Sequence, residues 1–254
     1  IRYFCRSRGL GDVYKRQDNY GTLTICDTSV SGDGSISARG TENYGTMTLS
    51  SGTIKSIDSD GGGAAVWNEG TFYMTGGKLE FTGQKSGNSA GAPLNIQSSG
   101  SAIITGGELI SPYTCLFSSG DLILKNISLT SETDYWMTLK LFSGSTSYIE
   151  NVTITTQKGG CVEVAGGQAT LKDCKFTQTN LGNPSWNSTA VAVSSNGIVS
   201  IESGSYHGTT SAVYIYNSGG TANLNGGSYT GNDANSTVLK ADTCLLYTSD
   251  AADD

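Results

Sequence analysis

Residues 19–25 read NYGTLTI and residues 43–49 read NYGTMTL. The two stretches lie 24 residues apart and share Asn, Tyr, Gly, Thr and an apolar alternation. A repeat of that period decides the fold, because periods of 20–50 residues mark solenoids, propellers or arrays. Taking Gly21 as the anchor of its coil, counterparts follow at Gly45, Gly70, Gly100, Gly120, Ser145, Gly167, Gly197 and Gly220. The mean spacing is about 25 residues.

Two positions after each anchor stand Leu23, Met47, Phe72, Ala102, Leu122, Ser147, Ala169, Val199 and Ala222. Four positions after stand Ile25, Leu49, Met74, Ile104, Leu124, Ile149, Leu171, Ile201 and Leu224. Nine after stand Val30, Ile54, Leu79, Leu109, Leu129, Ile154, Phe176, Tyr206 and Tyr229. The last two columns are apolar or aromatic in every repeat, although hydrophobic residues make up only 36% of the chain. Alternation with period two marks a strand with one buried face. A corner follows it, Gly-Gly at 76–77, 106–107 and 226–227, but Asn126-Ile127 and Asn151-Val152 elsewhere. Gly permits positive φ and Asn tolerates it best among the others. Another short apolar run precedes each anchor, for example AVW at 65–67 and AVAV at 190–193.

Three short strands per coil, stacked in register, make an all-β parallel solenoid of about nine coils, each extending its neighbour's apolar column. At about 4.8 Å per coil the rod is roughly 43 Å long. The pattern resembles the right-handed parallel β-helix of the pectate-lyase-like superfamily. In particular it is similar to NxGTLTIxGG-type repeats of large surface proteins from gut bacteria. That resemblance implies right-handed coiling and an extracellular or cell-surface location. It also implies that Asn126, Asn151 and Asp173, one corner position in three consecutive coils, form an internal amide ladder.

Both ends depart from the rhythm. DVYKRQ, residues 12–17, reads back into codons as GAT GTG TAT AAG AGA CAG. That resembles the transposon end used to prepare sequencing libraries. SRGLG at 7–11 fits the arm upstream of it, and CLLYTSDAADD at 244–254 fits the reverse complement with the other arm. Residues 1–17 and 244–254 are therefore expected to be adapter-derived tails around a β-helix fragment, 18–243, and stand outside the fold reasoning.

The chain has 15 basic and 22 acidic residues. Without the tails, 10 basic and 18 acidic remain. An acidic surface repels phosphate backbones, so nucleic acid is not an expected partner. No apolar run is long enough for a membrane helix. Cys26, Cys115, Cys161 and Cys174 show no metal-ligand spacing and read as small buried side chains.

Length varies mainly at one corner, over roughly 55–64, 82–94, 130–138 and 178–189, so these connections share one side of the rod. Loops on a rigid scaffold commonly carry binding. SETDYW at 131–136 and NLGNPSW at 180–186 contain Tyr135, Trp136 and Trp186, whose flat rings suit the apolar face of a pyranose. Glu132 and Asp134 suit its hydroxyls. The same rings could instead fold back as lids on the rod. The outward column three positions after the anchor is Thr24, Thr48, Tyr73, Ile103, Ile123, Tyr148, Thr170, Ser200 and Asn223. Its four large central members form a contact patch, open to a partner or covered by a loop.

Catalysis has little support in the sequence. Lyases of the resembled superfamily use acidic Ca²⁺ ligands and a basic residue, commonly Arg. Arg39 is the only Arg outside the tails, and Lys125, Lys172 and Lys175 sit in ordinary strand or corner contexts. Asp58 and Asp60 stand in a Gly loop that reads as a solvated turn. His207 is the lone His, expected at a solvent-facing corner with no Asp pair beside it. No metal or other cofactor is expected. The leading expectation is a non-catalytic bacterial surface solenoid, adhesin-like or glycan-binding, with a polysaccharide or cell-surface glycan as partner. A carbohydrate-active enzyme domain and a passive stalk are the alternatives.

Overall fold

The computed structural model describes residues 2–5, 17–29, 33–38, 40–56, 63–83, 91–131, 137–179, 188–217, 219–232, 237–242 and 246–248. Among these there are strands and no helix. Thirty strands fall into three sheets of eleven, ten and nine. Each coil contributes one strand to the ten-stranded sheet, then one to the eleven-stranded sheet, then one to the nine-stranded sheet; these are called the third, first and second sheets. A middle coil runs Leu116–Ser118, Asp121–Lys125, Ser128–Ser131. Every strand pairs in parallel with its counterpart one coil away. The chain is thus a right-handed parallel β-solenoid. Its inter-coil hydrogen bonds run along the rod, so each coil is the template for the next.

The apolar columns fill the interior. On the first sheet Leu49, Met74, Ile104, Leu124, Ile149, Leu171 and Ile201 are fully buried. Each such side chain gains about 1.5–3 kcal/mol from burial. Large rings enter the core from the second sheet. Phe176 meets Tyr206 edge-on at 5.4 Å, and Tyr206 stacks on Tyr229 at 5.5 Å. The Tyr206 and Tyr229 hydroxyls donate to the corner carbonyls of Ser203 and Gly226, which lets tyrosine occupy a core column.

The first coil departs from expectation. Val30 lies outside the described residues, and Ile36 takes the expected inner place, paired with Ile54. The Asp27 carboxylate accepts the amides of Ser29 and Gly34, shortly before Ser35–Ala38. These bonds hold the Asp27 carboxyl below its usual range.

The corner between first and second sheets has two forms. In the Gly-Gly form the second Gly has positive φ, as at Gly77 (75°) and Gly107 (94°). A Cβ on Gly76 would lie 2.4 Å from the Ser50 carbonyl oxygen, so no larger residue fits. In the other form Asn126, Asn151 and Asp173 themselves take φ of 55°, 53° and 52°. The residue after each turns inward: Ile127, Val152 and Cys174 are buried.

The expected internal ladder at this corner is corrected. Asn126, Asn151 and Asp173 are all exposed. Asn151 Nδ2 does donate to Asn126 Oδ1 at 2.9 Å, but outside the rod, and Asp173 Oδ1 instead accepts from Ser203 Oγ. A left-handed residue that ends an outward-facing turn projects away from the core. The buried amide ladder lies at the other corner, where the third sheet meets the first. Asn19 donates to Asn43 at 2.7 Å, and Asn43 donates to Asn68 at 2.6 Å. The same Nδ2 groups of Asn43 and Asn68 also satisfy the carbonyls of Thr71 and Ser101.

The backbone ladder reaches into both stretches read as foreign. Arg2–Cys5 pairs with Leu23–Cys26, and Leu246–Thr248 pairs with Ala222–Leu224. An open strand edge offers N–H and C=O groups to any extended segment.

Candidate functional site

On the first sheet, Tyr73, Ile103, Ile123 and Tyr148 are direct cross-strand neighbours on the outer face. The spacing of parallel strands puts them about 4.8 Å apart along the rod. Tyr73 and Ile123 are exposed, and Ile103 and Tyr148 half-buried. Thr48 precedes the column and Thr170 follows it. One flank is hydroxyl-rich: Thr71, Ser101 and Thr146, with Asp121 between them.

The other flank carries fixed charge. Glu150 pairs with Lys125 at 2.8 Å and Lys172 at 2.9 Å, one coil to either side. Hydrogen bonds from these two ammonium groups hold the Glu150 carboxyl at about 2. The Lys172 ammonium is raised by the same contact. Lys125 Nζ also stands 4.9 Å from the Tyr148 ring centroid, which orients that ring by cation–π attraction. The result is an apolar, partly aromatic ridge between donors and acceptors. It can stack on a flat apolar surface and hydrogen-bond at its margins.

Glu132, Asp134, Tyr135, Trp136 and Trp186 lie outside the described residues, as do Arg39, Asp58 and Asp60. Ser128–Ser131 leads to Met137–Phe142, and the Ser131 and Thr138 hydroxyls meet at 2.8 Å across the neck. Cys174–Gln178 and Thr189–Ser194 flank Trp186 in the same way. Both connections lead from the second sheet to the third, so their ends share one side of the rod.

His207 is not at a corner. It stands within Gly204–Gly208 on the outer face of the second sheet, half-buried. Its ring nitrogens meet Thr230 Oγ1 at 2.9 Å and Asn232 Oδ1 at 2.8 Å.

One charged cluster has no counterpart among the sequence motifs. Glu163 occupies an outward position of the third sheet yet is only 3% exposed. Its Oε1 accepts from Ser194 Oγ at 3.0 Å and Tyr216 Oη at 2.5 Å, and its Oε2 pairs with Lys140 at 2.8 Å. Burial first, and the Glu163 contact second, push the Tyr216 phenol up. The small side chain of Ala192, between Glu163 and Tyr214 in register, lets Tyr216 reach across. Partners 31 and 53 residues distant leave no local motif. No group of three or more metal-ligating side chains occurs among the described residues.

No family model matches the chain, and neither a curated protein nor a solved structure matches it.

Proposed function

We propose that the chain is the non-catalytic β-solenoid of an extracellular bacterial surface protein, adhesin-like or glycan-binding. The observation that supports this reading best is the outer column Tyr73–Ile103–Ile123–Tyr148 on a rigid sheet. Four coils in succession present large apolar groups where their neighbours carry Thr, and such a patch commonly marks a contact surface. The resemblance to pectate-lyase-like β-helices and gut-bacterial surface repeats supports the same reading. A glycan is the proposed partner, because rings flanked by hydroxyls and ion pairs suit its mixed surface. The loop residues Glu132, Asp134, Tyr135, Trp136 and Trp186 extend the proposal to the side of the rod.

The test is retention on immobilised polysaccharides, comparing the unmodified chain with Tyr73→Ala/Tyr148→Ala and with Trp136→Ala/Trp186→Ala. Retention lost in either variant, with the fold intact, supports binding and shows which surface carries it. Absence of retention for the unmodified chain on every polysaccharide would leave a passive stalk. Release of new sugar ends during the assay would favour an enzyme.

A further inference from the structure

The outer face of the second sheet carries a groove of about 670 Å³ between Gly107–Pro112 and Asn126–Thr130. Its cause is the change of corner between two neighbouring coils. Strand Glu108–Ser111 pairs with Lys78–Phe81 through Glu108, Leu109 and Ile110. With Ser128–Ser131 it pairs only through Ile110↔Thr130 and Ser111↔Ser131. On one side the Glu108 amide bonds the Gly77 carbonyl, and on the other the Thr153 amide bonds the Ile127 carbonyl. The member of that series expected between them, Ser128 amide to Gly107 carbonyl, is not made among the described residues. Gly107 makes the Gly-Gly turn, whereas Asn126 turns one position earlier relative to its own coil and sends Ile127 inward. The two coils therefore part at the corner and rejoin at Ile110 and Thr130.

We propose that this groove binds a neutral saccharide segment of one to three rings. The inference rests on the glycan-binding reading and adds a separate site and the charge class of its ligand. The volume lies within the usual range of roughly 300–1,000 Å³ for ligand sites. Ile110 is 38% exposed and, with Pro112, gives an apolar wall for the C–H face of a sugar. Glu108 supplies an exposed carboxylate that accepts hydroxyls in pairs. Asn126 Oδ1 already accepts from Asn151, which directs its Nδ2 donors elsewhere. The Ser128 amide and the Gly107 carbonyl add a donor and an acceptor fixed by the backbone. Among the described residues no Lys or Arg lines the groove, and Glu108 repels uronates, sulfates and phosphates.

The test is ¹⁵N–¹H NMR titration of the whole chain with cellotriose, mannotriose, tri-N-acetylchitotriose and trigalacturonate. A neutral trimer is expected to shift the Gly107, Ile110 and Ser128 amides, and trigalacturonate is not. Ile110→Lys should weaken that binding by at least about tenfold, the scale of one lost anchoring contact. Asn126→Gly keeps the left-handed turn, removes the amide donor and should weaken binding as well. Shifts confined to the Tyr73–Tyr148 strands would overturn the groove and leave the surface reading standing. Shifts nowhere, with any of the four, would count against both. Binding of trigalacturonate at the groove as tight as that of the neutral trimers would overturn the charge assignment.

Discussion

Leu124 shows what one interior position contributes. It is fully buried, with Ile104 before it and Ile149 after it in the same column. Leu124→Asp places an unpaired carboxylate there. The expected cost is about 3–5 kcal/mol, read as a large fall in the midpoint of thermal or denaturant unfolding. An unchanged midpoint would contradict the assigned register. Inner positions of this kind were legible from the sequence because strand periodicity is strict: each apolar column needs one side chain from every coil. In the first coil Ile36, not the residue at the regular spacing, pairs with Ile54, and the Asp27 carboxylate that binds two amides ahead of it leaves no mark on apolar spacing. The exposed corner Asn residues were legible as left-handed turns, since few other residues tolerate positive φ. Which way their side chains face depends on turn geometry that residue type does not reveal.

Among elements, the buried amide ladder links three successive coils through uncharged side chains. Asn43 is fully buried and sits between Asn19 and Asn68. Asn43→Leu keeps the number of side-chain heavy atoms but strands the Asn68 oxygen and removes the acceptor of Asn19. The expected loss is about 2–3 kcal/mol by chemical denaturation, more than for a surface Asn. The sequence did carry a signal, Asn two positions before Gly21, Gly45 and Gly70. It fades when Ile96 replaces Asn68 in register and Ser118 follows, so the column looks local. The Lys125–Glu150–Lys172 triad on the outer face of the first sheet predicts a pH effect. Its Glu150 carboxyl is held at about 2, below an ordinary unfolded value of about 4.3. The stabilisation is therefore complete above the unfolded value and lost as pH falls from about 4 towards 2. Glu150→Gln should flatten that part of the stability–pH curve, and the Glu150 titration can be followed directly by NMR.

At the scale of the molecule, the three-sheet architecture was legible because a solenoid repeats each requirement in every coil. The side of the rod that carries the long connections follows from topology. The Glu163 cluster and the groove at the corner seam were not legible, since both arise between coils rather than within one. A labelling experiment tests the integrity of the whole rod. Cys115, Cys161 and Cys174 are buried, and desolvation pushes Cys115 up to about 12, Cys174 to about 11 and Cys161 upward too. A thiol reagent at about pH 8 should leave these three unmodified in the folded chain and reach them on unfolding. Rapid native labelling of Cys161 would mean that the middle coils open.

The direction of the inter-coil hydrogen bonds has a mechanical consequence. A pull applied between the two ends of the rod loads those bonds along their own axes. They then break a coil at a time from an end, not all together. Each coil that detaches exchanges about 4.8 Å of rod for roughly 80 Å of extended chain. A force–extension trace would show one step per coil, roughly 65–100 Å each as coils run from 20 to 30 residues. A rod built in this way lengthens stepwise under drag and keeps every coil not yet reached intact.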